Sequence, residues 1–152
     1  MLLSEQFLHA YEGHRKSLLQ LLDVVSEVQF SFKPWDDAMS FGKLFHHTLN
    51  STRTFWGSVQ KGEFERASLP EVHSLEELHK LAHQVTGEDQ QLIAGLSDEI
   101  LNQTIITPFS PNPIGKYQLL MMSRDHEIHH KGQLFVYARM MGAKELPFFV
   151  AR

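Results

Sequence analysis

The chain has 152 residues, 42% hydrophobic and 21% charged, which excludes disorder over most of its length and fits one domain spanning residues 1–152. Fourteen Lys and Arg against eighteen Asp and Glu give a formal charge of −4, and no basic patch offsets it, so nucleic acid is excluded as a general partner. Cysteine is absent, which removes disulfides, thiolate metal sites and cysteine nucleophiles together.

The N-terminal stretch Met1 to Phe7 has neither a basic nor an apolar segment of the signal-peptide kind, and nowhere do about 18 apolar residues run together. The expectation is a cytoplasmic protein with no membrane partner. Phe7, Leu8, Tyr11, Leu18, Leu21, Leu22, Val25 and Val28 recur at helical spacing and predict a first helix from Ser4 to about Gln29, with Gly13 a minor weakness. Phe30 to Met39, with Pro34 and Asp36-Asp37, reads as a loop. Ser40 is the expected N-cap of a second helix running to about Gln60, striped by Phe41, Leu44, Phe45, Leu49, Phe55, Trp56 and Val59.

Gly62 and Pro70 bracket a connection, and Ser74-Leu75-Glu76-Glu77 fits a capping box that opens a third helix to about Leu96. Ser97 to Gly115, with Pro108, Pro111 and Pro113, is a long irregular connection in which Thr104-Ile105-Ile106-Thr107 is the one strand candidate. The fourth helix runs from about Lys116 to Met141 and stops at Gly142. Each helix is about 30 to 40 Å long, and residues 62–73 can reach a similar distance when extended, so the second and third helices can run parallel. The fold class is all-α, a four-helix bundle.

Ten histidines are the unusual feature of the composition. His126 and His130 lie one turn apart on the fourth helix, a spacing at which two imidazoles reach one metal ion. Projection gathers Arg124, Asp125, Glu127, Lys131 and Arg139 on one side, the expected solvent face, and turns the histidine pair inward with Ser123, Gln133, Tyr137 and Met141. Two readings stand: a metal-binding pair, or hydrogen-bonded core histidines.

His79 and His83 have the same spacing but project to the wet face of the third helix, as surface residues. His9, His14 and His73 have no partner nearby in sequence. On the second helix His46 lies near the polar centre, whereas His47 lies at the polar–apolar boundary and is the better third ligand. Three neutral imidazoles leave an open position on a tetrahedral ion, as catalytic sites do. Asp125 and Glu127 point elsewhere and take no metal role. Gly132 serves close helix approach or is a helix imperfection. Trp35, Trp56 and the phenylalanines read as core, and the methionine pairs 121–122 and 140–141 as packing or a dimer surface.

The Ser40-x6-His47 start of the second helix and the run His126-Glu127-Ile128-His129-His130-Lys131-Gly132-Gln133, continuing to Tyr137, Met141-Gly142 and Pro147, resemble the DinB/YfiT-like metalloenzyme superfamily over essentially the whole chain. The resemblance implies up-down-down-up topology and a divalent metal, zinc or nickel, on His47, His126 and His130. It also implies small-molecule chemistry, since relatives include thiol S-transferases and isomerases that use low-molecular-weight thiols, and frequent homodimers. Gln133 and Tyr137 are candidates to orient a metal-bound water or substrate, or are ordinary packing. Two function classes follow: a metal-dependent enzyme such as a thiol S-transferase or hydrolase, and a non-catalytic metal-binding stress-response or interaction bundle.

Overall fold

Three serines set where helices begin. Ser40, Ser74 and Ser97 each accept a hydrogen bond from the backbone N–H three residues on, at 3.2, 3.1 and 3.2 Å. They start α2 (Phe41–Lys61), α3 (Leu75–Ala94) and the short α4 (Asp98–Leu101) in the computed structural model, which describes residues 1–152. The capping box at Ser74 is only half formed: the Glu77 carboxylate accepts from the His73 N–H at 2.7 Å instead. Gly62 closes α2 with φ 89°, a left-handed turn that favours glycine.

The first helix, α1 (Leu3–Leu21), is shorter than its apolar pattern predicts. Two 3₁₀ turns, Leu22–Val24 and Glu27–Gln29, replace its expected last turns, and Val25 between them is extended yet buried. The β-branched pair Val24-Val25 disfavours continuation, and the Ser26 N–H donates to the Gln29 side chain at 2.8 Å, so the apolar spacing continues while the helix does not. Gly13 is required by close approach: a Cβ there would lie 2.6 Å from the carbonyl oxygen of Ala151, where the C-terminal segment crosses α1. The last helix, α5 (Lys116–Met140), follows a minimal antiparallel hairpin of β1 (Thr104–Ile105) and β2 (Ile114–Gly115).

Two apolar clusters fix the helix directions. One joins Leu18 and Leu21 of α1, Phe41 and Phe45 of α2, Leu75 and Leu78 of α3, and Leu134 and Ala138 of α5. The other joins Phe7 of α1, Trp56 and Val59 of α2, Ile93 of α3, and Leu119 and Leu120 of α5. The late part of α1 therefore meets the early parts of α2 and α3 and the late part of α5, which is the up-down-down-up bundle. None of the helices is long and apolar enough to cross a membrane.

Parallel α2 and α3 require a connection that returns the length of α2, and α2 carries a polar edge that holds it. Ser58, Thr54, Asn50 and His46 follow one another at four-residue spacing. The Ser58 hydroxyl accepts from the Glu65 N–H, and Thr54 accepts from the Ala67 N–H. The Asn50 amide bonds both the Ala67 carbonyl and the Leu69 N–H, and the His46 ring donates to the Pro70 carbonyl at 2.8 Å. Satisfying the backbone of residues 65–70 this way leaves the neighbouring edge of α2, with His47, Ser51 and Phe55, free to face α5.

Candidate metal centre

The two faces of α5 correct the projected one. Glu127 is 0% exposed and Lys131 3%, although both were expected on the solvent face with Arg124, Asp125 and Arg139. Charged side chains at these two positions stay inside because they are paired there. Glu127 sits between two apolar clusters and receives Arg15 Nη2 at 2.5 Å, Arg15 Nε at 3.1 Å, the Tyr11 hydroxyl at 2.8 Å and Thr52 Oγ1 at 3.1 Å. Arg15 also donates to Thr86 at 3.0 Å, so all four long helices meet in one polar waist. Burial pulls the Arg15 pKa down, but the adjacent Glu127 carboxylate acts in the opposite direction, and the net shift is upward. Burial raises the Tyr11 pKa, leaving a neutral phenol that donates. On the α1 side, Lys131 donates to His14 Nδ1 at 2.9 Å and to the Phe149 carbonyl.

His126 and His130 occupy the adjacent flank of α5, half-buried rather than in the core, facing the His47 edge of α2. The ring centroids of His126 and His130 are 4.4 Å apart, and those of His47 lie 4.9 Å from His130 and 5.4 Å from His126. One ring nitrogen from each residue lies within 4.8 Å of the other two. The Nε2 atoms of His126 and His130 are 3.1 Å apart. Two nitrogens on one tetrahedral zinc-like ion at about 2.0–2.1 Å are about 3.3 Å apart, so this pair stands at ligand spacing. His126 Nδ1 is buried without a partner. The donor set is all imidazole, which suits zinc, nickel and other borderline cations, and these residues fit a divalent ion.

Electrostatics favour the uncharged donors that a cation needs. Burial, then His130, His47 and His129, push the His126 pKa down to about 4. Burial, then His130 and His46, lower that of His47. At neutral pH both rings hold free lone pairs. Gln133 Oε1 lies 2.7 Å from His130 Nδ1, and because a carbonyl oxygen can only accept, this contact fixes the proton on Nδ1 and leaves Nε2 as the donor toward the cluster.

Other candidates separate from the cluster. The Tyr137 hydroxyl donates to the Met39 carbonyl at 3.1 Å, and its ring meets Phe32 edge-on, so its polar group holds the loop before α2. His79 and His83 stack at 6.1 Å, with His79 3.3 Å from the Leu22 carbonyl oxygen and His83 exposed. A Cβ at Gly132 would meet nothing within 4 Å, so no close helix approach requires the glycine.

A cavity of about 280 Å³ opens beside His47 and His126, lined also by Ser51, Phe55, Phe64 and Phe109. Phe55 and Phe109 lie 5.5 Å apart, Phe64 and Phe109 5.4 Å, and the Phe55 ring stands 6.1 Å from His126. Trp56 is core as expected, whereas Trp35 is 65% exposed and these three phenylalanines form a wall rather than core. Phe55 was legible, since it follows His47 by eight residues on the same edge of α2. Phe64 and Phe109 come from connections, where no period points to a face.

Comparison with known proteins agrees in fold. The DinB family model matches residues 1–152. YjoA of Bacillus subtilis, an uncharacterized protein, is 31% identical over 150 residues, 98% of this chain and 97% of that one. Its crystal structure superposes with a TM-score of 0.85 at 30% identity, covering 97% of this chain and 99% of that one. YfiT of Bacillus subtilis, a probable metal-dependent hydrolase with an unusual four-helix bundle topology, gives a TM-score of 0.73 at 16% identity over 91% of this chain and 87% of that one. A mycothiol-dependent maleylpyruvate isomerase gives 0.70 at 13% identity over 86% of this chain and 60% of that one.

Proposed function

The chain belongs to the DinB family, and we propose that it is a metal-dependent enzyme acting on small molecules, with His47, His126 and His130 holding one divalent ion, zinc or nickel. The observation that carries this reading is the convergence of three imidazole nitrogens from α2 and α5 beside a cavity large enough for a small substrate. An ion with three protein ligands keeps a position open and supplies, near neutral pH, the lowered pKa that turns a water or thiol into a nucleophile.

The chain's own residues divide the remaining work. Gln133 orients the His130 ring through Nδ1, so that its Nε2 lone pair points into the cluster. His47 and His126 stay uncharged and do not repel a cation. The aromatic wall excludes water from one side of the site and positions an apolar body against it. With no cysteine in the chain, any thiol nucleophile comes from outside. The mycothiol dependence of one structural relative and the hydrolase description of another support two reaction types, thiol transfer and hydrolysis, and a chain without thiols of its own is compatible with both. A cytoplasmic setting, where such thiols abound, and a homodimer through the exposed Met122 and Met140 side belong to the same reading.

The test is turnover of a panel of electrophiles with low-molecular-weight thiols, using metal-loaded and chelator-stripped protein. The expected result is conjugation that requires both thiol and metal and disappears in His126→Ala. A metal-loaded protein that turns over neither the electrophiles nor a parallel panel of esters and amides is a binding bundle, and the enzymatic reading fails.

A further inference from the structure

The cavity beside the histidines has a chemical bias of its own. Its aromatic wall of Phe55, Phe64 and Phe109 offers stacking faces to a flat apolar group. The one charged side chain in its lining is Arg66, and no Asp or Glu lines it, in a chain whose formal charge is −4. Arg66 holds its guanidinium 5.5 Å from the centre of the Phe64 ring. The carboxylates nearest in sequence are both committed elsewhere: Lys61 pairs with Glu63 at 3.2 Å and with Glu65. The other polar side chains are also largely spent, Asn50 on Ala67 and Leu69 and Thr54 on Asn50 and Ala67. What the cavity presents to a ligand is therefore one cationic fork at the rim, three aromatic faces, and the histidines at the inner end.

We infer that this cavity binds a small organic acid with a planar apolar body, its carboxylate on Arg66, its body against Phe55, Phe64 and Phe109, and its reacting end toward His47 and His126. A planar fork matches a carboxylate through two parallel N–H donors, and Phe64 beneath it holds the fork in place. This inference deepens the proposed function by naming a substrate class and rests on that reading for its reacting end; the binding step itself needs no metal.

Phenylacetate and phenylacetamide, equal in shape and different in charge, separate the two questions when titrated against full-length protein, metal-stripped and metal-loaded. In stripped protein, where no cation competes for the carboxylate, the acid is expected to bind about tenfold tighter than the amide. Arg66→Gln, an exposed position, should bring the two affinities together, and Phe109→Ala should weaken both alike. Equal binding of acid and amide by stripped wild type, or an acid preference that survives Arg66→Gln, overturns the inference. Either result leaves the metal reading standing if the protein still takes up one equivalent of zinc. Conversely, an acid preference that depends on Arg66 in a protein that takes up no zinc upholds the inference for binding and removes the metal reading.

Discussion

Two groups of side chains lie one residue apart on α5 and behave in opposite ways. Glu127 turns into the bundle, where Arg15, Tyr11 and Thr52 satisfy its oxygens and Thr86 takes a further Arg15 donor. His126 turns to the crevice, with one ring nitrogen unpartnered and the other facing His130 at 3.1 Å. The first group is saturated and closed, so its free energy goes into holding four helices in register. The second is unsaturated and partly open, so its capacity is left for something that is not protein. A helix turn can thus carry structure on one side and chemistry on the other, and only the state of its hydrogen bonds tells them apart.

The largest test of this contrast is to break the closed side. Glu127→Ala leaves the Arg15 cation buried without its partner and should cost about 3–5 kcal/mol in denaturant unfolding. Replacing both partners with apolar residues, Arg15→Met with Glu127→Leu, should recover most of that loss. A cost below about 1 kcal/mol for the single variant would show that the waist is not sealed. The open side should respond differently. His126→Ala or His130→Ala should weaken zinc affinity at least about 100-fold by competition with a chelating dye, while the metal-free variants unfold close to wild type.

Smaller effects sharpen the same comparison. Gln133→Ala keeps every proposed ligand but frees the His130 ring, and should weaken metal binding about tenfold, with no change in apo stability. The open side should contribute its own slope to the pH dependence of metal-free protein. His126 titrates near 4 in the folded chain and near 6.5 when unfolded, so between these values the unfolded chain binds more protons and folding stability falls as the pH falls. His126→Ala should flatten that slope in unfolding curves taken across the window. An unchanged slope would place the ring in water rather than in the crevice.

Much of this arrangement was written in the sequence. The N-cap serines Ser40 and Ser74 mark the starts of two helices before any contact is known, and the length of the connection after Gly62 allows α2 and α3 to run parallel. The boundary position of His47 and the one-turn spacing of His126 and His130 point to the residues that the structure brings together. What escaped has a common cause. Glu127 and Lys131 look solvated to any argument that counts polarity, because pairing with Arg15 or His14 comes from a segment more than a hundred residues away. The end of α1 at Leu21 escaped because Leu22 and Val25 beyond it are buried at helical spacing in a chain that is no longer α-helical. Arg66 and Phe109 escaped because connections carry no period, and only the folded return of the chain along α2 sets Arg66 beside the histidine cluster.

The most direct test of the central claim is the metal content of untagged protein after dialysis, measured by elemental analysis alongside single-histidine variants. Close to one equivalent of a divalent transition metal is expected, lost in His47→Ala, His126→Ala and His130→Ala and kept in His79→Ala. Wild-type protein with no bound metal after incubation with zinc or nickel, or variants at 47, 126 and 130 that keep a full equivalent, would contradict it.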